Sequence, residues 1–285
     1  MRKFSRAAAI QDISGFGRCS LTVIIPVLSA MSVQVCPVPT AVLSAHTGFG
    51  KMTMNDLTGF MMPALNDYQK LGVEFDSIFS GFLASEEQID GCLAFFKTYN
   101  NALKFVDPVM GDCGTTYHTY TEKMCGRMIE LVREADIITP NLTEAAILLG
   151  EDYPLAPISA AQAKDWLKRL SDIGPERVVV TSVAFDDETV CNICYDRSGD
   201  RYFKTVVNVI PKQYSGSGDI FASVVLGSVL KGDSLEIAVG RAAAFTEAAI
   251  KYTYENSEND MDGILLEPCL KWFYENHTGF DYKQL

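Results

Sequence analysis

The stretch YSGSGDIFAS, residues 214–223, sets Gly216, Ser217 and Gly218 directly before Asp219, and an apolar run follows without a break. Glycines ahead of a helix let the backbone approach a ligand, and the first-turn amides then point one way with the helix dipole behind them. Such a terminus is an anion site built from main chain. A carboxylate is a poor choice for holding phosphate. It makes sense beside a phosphoryl group if Asp219 orients and deprotonates an attacking hydroxyl. The helix terminus is expected to keep Asp219 ionised and only weakly basic, which suffices for a loose phosphoryl transfer. The alternative is an aspartate that merely stabilises the first helical turn.

Two further stretches place polar groups where chemistry is done. DPVMGD puts Asp107 and Asp112 at the end of an apolar strand, where ligands gather in open α/β sheets. Carboxylates there suit a hard cation such as magnesium, unless Asp107 only caps a turn with Pro108. In TPNLTEAAILLG, Thr139 or Asn141 caps the helix that follows, and Glu144 answers the amides of its first turn. Capping and ligand contact are compatible, because both use groups gathered at one strand-to-helix junction. His46, in SAHTGFG, stands at a polar, glycine-punctuated strand end, whereas His277 reads as a surface residue.

Several familiar motifs fail on inspection. GFGRCS lacks the third glycine of a dinucleotide fingerprint, and no acidic residue appears in the next strand to hold a ribose. GFGKM has Met52 where a P-loop needs Ser or Thr. Cys191 and Cys194 form a CxxC, but residues three apart in a strand face opposite ways and cannot share a zinc. Both read as core or edge cysteines.

The elements that must position these groups follow from the pattern of the chain. Short apolar runs alternate with helical stretches from RAAAIQD to RVVVTSVA; then ETVCNICYD and RYFKTVVNVI flank a Ser198-Gly199 turn as an antiparallel hairpin, and the final third is helical. This predicts one α/β domain over residues 1–285, a mostly parallel sheet covered by helices with an antiparallel addition. A net charge of −12 argues against nucleic acid or an acidic membrane as partner. The longest apolar run, LTVIIPVLSAM, is far short of a membrane span. The opening MRKFSRAAAIQD has too little apolar length for a secretory signal, and the eight scattered cysteines suit reduced thiols. A cytoplasmic protein is expected.

With these pieces in view, the chain resembles the pyridoxal kinases of the ribokinase superfamily. AIQDISGFGRCS, VLSAHTGFG, SGFLASEEQI, DPVMGD, TPNLTEAAILLG, VVVTS and YSGSGDIFAS come in that family's order over roughly residues 8–230. The resemblance implies a ribokinase-like three-layer α/β/α fold with no separate lid domain. It implies phosphorylation of the 5′-hydroxymethyl group of B6 vitamers with ATP and Mg2+, often K+, by a homodimer. Position by position, Gly216, Ser217 and Gly218 would form the anion hole and Asp219 the catalytic base. Asp107, Asp112, Thr139 and Glu144 match positions that handle the metal-bound phosphates, with Asp107, Thr139 and Glu144 on the metal. Asn141 and Thr181 match the nucleotide side, with Ser182 beside them. DCGTTYHTYT would be a flap over ATP carrying Tyr117, and His46 and Thr47 would meet the vitamin ring.

Three positions depart from the family. Asp12 replaces a serine near the ring, Phe82 replaces a tyrosine but keeps a stacking face, and Ser217 replaces a threonine. A carboxylate at position 12 would favour a protonated pyridine or a cationic amine. The rival readings are a sibling kinase acting on hydroxymethylpyrimidine or a sugar, and a catalytically idle B6-binding protein. The late helix TEAAIKYTYEN is expected to pack, with a wall of the adenine pocket as the alternative.

Overall fold

Ala7, Ala8, Ala9 and Ile10 are completely buried in the first strand, β1 (Arg6–Ser14), so both faces of the sheet are covered where β1 runs. The computed structural model describes residues 4–186, 189–275 and 277–285. Glu188, at the head of the expected hairpin, lies outside them. Among the described residues the strands continue with β2 (Gln34–Leu43), β3 (Met54–Asp56), β4 (Ser77–Ser80), β5 (Leu103–Val106), β6 (Gly111–Asp112) and β7 (Thr115–Thr116). Then come β8 (Ile137–Ile138), β9 (Arg177–Ala184), β10 (Val190–Asp196), β11 (Arg201–Val207) and β12 (Lys283–Gln284). The helices are α1 (Leu21–Ala30), α2 (Thr58–Lys70), α3 (Glu86–Thr98), α4 (Glu122–Glu134) and α5 (Leu142–Leu149). They are followed by α6 (Ala160–Ile173), α7 (Ser217–Leu230), α8 (Leu235–Asn256) and α9 (Leu266–Cys269).

The main sheet has the order β12-β11-β10-β9-β8-β5-β4-β1-β2-β3. Pairings from β2 to β9 are parallel, and β3 at one edge and β10–β12 at the other are antiparallel. Alternation along β1 divides the core. Ala7 and Ala9 face α1, α7 and α8 through Leu21, Ile24, Val224 and Phe245, whereas Ala8 and Ile10 face α2 to α6 through Met61, Phe95, Leu131 and Trp166. The chain passes from β1 to β2 on one flank, then returns to β4 on the other. The carboxyl ends of β1 and β4 therefore border the crevice where such sheets bind ligands.

Local chemistry accounts for the helix starts. Ser85, Thr121 and Ser159 each accept a hydrogen bond from a backbone N–H three residues on, at Gln88, Met124 and Gln162. The hairpin β10–β11 forms as expected, joined by a short 3-10 turn at Arg197–Gly199. Cys191 and Cys194 are both fully buried, on opposite faces of the sheet. Three features differ from the expectation. The final third is not all helical, because β12 pairs with β11; β3 and α2 also form in a stretch that shows no clear pattern. His277 is half-buried rather than a free surface residue, since its ring stacks on Trp272 at 4.0 Å between centroids.

Candidate active site

Every residue singled out above for chemistry lines one cavity of about 620 Å³. It lies across the carboxyl ends of the parallel strands and under the small β6–β7 hairpin.

At its centre is the start of α7. Gly216 is the N-cap, with φ +86°, and a Cβ there would fall 2.1 Å from the carbonyl oxygen of Arg18. Only glycine fits. Gly218 is different. A Cβ added there meets nothing within 4 Å, so no protein neighbour demands glycine at that position. Asp219 lies in the first turn, and its Oδ2 accepts a 2.7 Å hydrogen bond from the Ser20 backbone N–H. Burial pushes its pKa up to about 7, against the Ser20 N–H, and the nearby Asp12 carboxyl adds to the rise. This corrects the expectation of a weakly basic aspartate: desolvation outweighs the helix terminus.

A second cluster forms where β5 and β8 end. Asp107 follows β5, is buried, and accepts a hydrogen bond from the Thr139 hydroxyl at 3.1 Å. Burial and then the charge of Asp219 raise its pKa to about 8. Asn141 and Glu144 make a full capping box: the Asn141 side chain accepts the Glu144 N–H, and the Glu144 carboxylate accepts the Asn141 N–H at 2.8 Å. The other Glu144 oxygen accepts the Met110 N–H at 3.0 Å. Burial and the charge of Asp107 shift Glu144 upward. Capping and cavity lining thus coincide. Asp112 does not join this pair at a strand end. It is exposed on the β6–β7 hairpin, where its Oδ1 accepts the Cys113 N–H. Cys113 and Gly114 have φ of +50° and +76°, the signature of a tight two-residue hairpin turn. The hairpin hangs on α5, through Asn141 Nδ2 donating to the Gly111 oxygen and Gly114 N–H donating to Thr143. Tyr117 follows it, 40% exposed over the opening.

On the β1–β2 side, Asp12 is buried; burial raises its pKa, and the hydroxyls of Ser20 and Ser14 hold it down. Phe82 presents its ring beside it, edge-on to Tyr120. Thr47 is exposed to the cavity. His46 lines it too, but its ring is already engaged: Nδ1 accepts the Gly48 N–H at 3.1 Å, and Nε2 donates to the Met261 oxygen at 2.8 Å. These bonds fix the orientation of the imidazole, which stays part of the cavity wall. The same C-terminal turn is held twice more, by Arg18 donating to the Asp262 oxygen and by Lys212 paired with Asp260.

At the far end, Thr181 N–H donates to the Pro140 oxygen, and Ser182 has φ +60°. The sequence reading missed Asn192 and Val207 from the hairpin and Ala243 from α8, whereas Thr246, Glu247 and Ile250 belong to the stretch TEAAIKYTYEN, for which a cavity wall was the alternative to packing. That late helix packs and also walls the cavity. Its alternation of buried alanines conceals the second task. Among the described residues lining the cavity, Asp12, Asp107, Asp112, Glu144, Asp219 and Glu247 supply carboxylates, and none is a lysine or arginine.

Comparison with known proteins gives the family and the fold. Residues 25–262 match the family model described as phosphomethylpyrimidine kinase. A putative phosphomethylpyrimidine kinase from Bacteroides thetaiotaomicron, solved in a crystal form with pyridoxal, is 40% identical, with a TM-score of 0.95 over 99% of this chain and 100% of that one. Pyridoxal kinase from Lactobacillus plantarum is 27% identical, with a TM-score of 0.87 over 94% and 96% of the two chains. A curated pyridoxal kinase of Pseudomonas putida is 28% identical over 263 residues, 88% of this chain and 87% of that protein. The chain belongs to the phosphomethylpyrimidine kinase family, in the pyridoxal kinase branch of the ribokinase superfamily.

Proposed function

We propose that the protein is a pyridoxal kinase, a phosphotransferase that uses ATP to phosphorylate the 5′-hydroxymethyl group of a B6 vitamer: pyridoxal, pyridoxine or pyridoxamine. One observation carries the reading. Asp219, with its pKa pushed up to about 7 by burial, lies in the first turn of a helix whose opening residues Gly216, Ser217 and Gly218 line the same cavity. In this role Asp219 orients the acceptor hydroxyl and takes its proton, worth about 10²–10⁴ in rate. The Gly216-Ser217-Gly218 amides receive the charge that moves from the γ-phosphate; each donor is worth about 10²–10³. Asn141, Thr181 and Ser182 serve the nucleotide, and Tyr117 and Asp112 close over it. Asp12, His46, Thr47 and Phe82 face the vitamer ring.

The donor set fits a magnesium ion. Asp107, Thr139 and Glu144 offer hard oxygen ligands, and the described lining has no basic side chain to neutralise a triphosphate. Both Glu144 oxygens already accept backbone N–H groups, so Glu144 has only its remaining lone pairs for the ion or its water. When bound, magnesium would neutralise charge on the nucleotide phosphates. Among the described residues none stands out as a K+ ligand, and K+ enters only as a family expectation. The same reading takes residues 1–285 as one cytoplasmic domain that forms a homodimer. The exposed apolar side chains Val42, Met54, Phe60 and Met62 on β2, β3 and α2 support a subunit contact at that sheet edge.

A second reading is favoured by the family description itself: phosphorylation of a hydroxymethylpyrimidine. The deciding assay is ATP consumption with pyridoxal, pyridoxine, pyridoxamine, hydroxymethylpyrimidine and ribose, with Asp219→Asn as control. Turnover confined to the pyrimidine or the sugar overturns the vitamer assignment. Binding of pyridoxal without turnover by the wild type makes the protein a carrier.

A further inference from the structure

Strand β9 loses its alternation at one point. Val178 and Val180 pack into the core on the α2 to α6 side of the sheet, and Val179 packs on the side of α1, α7 and α8. A regular strand would put residue 182 on the same side as Val180, but Val183 takes that place. The pairing with β10 slips at the same position. Cys191 lies opposite Val183 and Ile193 opposite Val180, so Thr181 and Ser182 together oppose Asn192. This is a β-bulge. It turns two successive side chains to the α8 side, where Thr181 and Ser182 line the cavity with Ala243 and Thr246.

The bulge is held from its partner strand. Ser182 has φ +60°, a region that glycine enters freely and serine does not. Its N–H donates to Asn192 Oδ1 at 3.4 Å. Asn192 is buried, and its Nδ2 donates to the Thr205 hydroxyl at 3.4 Å, so one carboxamide ties the bulge in β9 to β11 across β10. The other bulge residue is fixed separately, because the Thr181 N–H donates to the Pro140 oxygen at 3.0 Å. A serine kept where glycine would be unstrained points to a use for its hydroxyl, and Ser182 is exposed at the cavity wall.

We propose that Asn192 is a positioning residue for the nucleotide: by holding the Ser182 N–H it locks the bulge that presents Ser182 to ATP. The assignment rests on the ATP-dependent kinase reading. Asn192 acts through its neighbour, so its effect belongs to ATP binding and not to the vitamer or to proton transfer at Asp219.

The test uses the full-length protein, calorimetric binding of magnesium-ATP and steady-state kinetics with pyridoxal. Asn192→Leu keeps the side chain's size while removing both polar atoms. We expect its Kd and KM for ATP to rise about 3- to 10-fold, as for one modest hydrogen bond lost. Its kcat and its KM for pyridoxal stay within about twofold of wild type. Ser182→Ala should show the same split. The double variant should bind ATP no more weakly than the weaker of the two single variants, because both changes remove one contact. Unchanged ATP binding in Asn192→Leu overturns the proposal. So do effects that multiply in the double variant, which would mean that Asn192 acts independently of Ser182. A lower melting temperature with both KM values rising together also overturns it, as the signature of general loosening. If Asn192→Leu does not fold, Asn192→Ser, polar but too short to reach the Ser182 N–H, is judged by the same outcomes. If wild type binds and turns over ATP and the Asn192 variant matches it, only the Asn192 assignment falls. If wild type binds no ATP, the functional reading falls and takes this one with it.

Discussion

The Ser20 backbone N–H donates to Asp219 Oδ2 across 2.7 Å, joining residues 199 positions apart in the chain. Ser20 has φ +51°, so the loop before α1 adopts an uncommon conformation where it delivers that donor. The aspartate is therefore held from the β1–α1 loop as well as by its own helix.

Asp219→Asn should lower kcat by about 10²–10⁴ while the protein still folds, because a neutral amide replaces a carboxyl that burial disfavours when charged. In the wild type the ionised form is the base. With a pKa of about 7, kcat/KM should fall as pH drops below that value. A pH–rate profile flat from pH 5 to 8 would remove Asp219 from that role.

Stability should move the other way. Asp219 and Asp107 have folded pKa values of about 7 and about 8, above the roughly 3.9 of an unfolded aspartate. From about pH 4 to 8 the folded chain binds protons that the unfolded chain has released, so stability declines as pH rises through that window. Melting temperatures of metal-free protein across pH 5 to 8 check this, and Asp107→Asn should flatten the slope.

The two glycines of the loop should separate in mutagenesis. Gly216→Ala meets the Arg18 oxygen and a positive φ together, and should destabilise by about 1–3 kcal/mol or more. Gly218→Ala meets open space, so its melting temperature should stay near wild type while kcat/KM for ATP falls. Unchanged kinetics in Gly218→Ala would mean that the phosphates bind elsewhere.

Glu144→Gln keeps one oxygen for the capping box, but its amide nitrogen meets the Met110 or the Asn141 N–H, so the melting temperature should fall by several degrees while the protein still folds. The magnesium concentration for half-maximal rate should rise several-fold. Equal magnesium dependence would restrict Glu144 to its helix.

Asp12→Ser should shift the ranking of kcat/KM among vitamers, against pyridoxamine and towards pyridoxal and pyridoxine. A carboxylate favours cationic forms, and a hydroxyl does not. An unchanged ranking leaves Asp12 without influence on the ring.

Much of this arrangement was legible in the sequence because it rests on local rules. RVVVTSVA matches β9 residue for residue, and the capping box at Asn141 and Glu144 follows from residue type and spacing. What was hidden depends on distant neighbours. The sequence gives Gly216 and Gly218 the same appearance; only the Arg18 oxygen tells them apart. That the ring of His46 is held by the Met261 oxygen, 215 positions away in the C-terminal turn, has no signal in SAHTGFG. β3 has three exposed residues, too short for any alternation to show, and α2 carries Gly59 and Pro63. The weakly basic aspartate was misjudged because burial cannot be read from an aspartate beside glycines.

The turn at residues 260–262 is stitched to three loops at once, through Lys212, His46 and Arg18. Those loops precede the glycine turn, follow β2 and follow β1, so none can swing outward without dragging the others. Among the described residues the β6–β7 hairpin makes none of these bonds; it is fastened to α5, and to the Lys212 loop through Gln213 Nε2 donating to Cys113 Sγ at 3.4 Å. The shore formed by these three loops is thus braced as one piece.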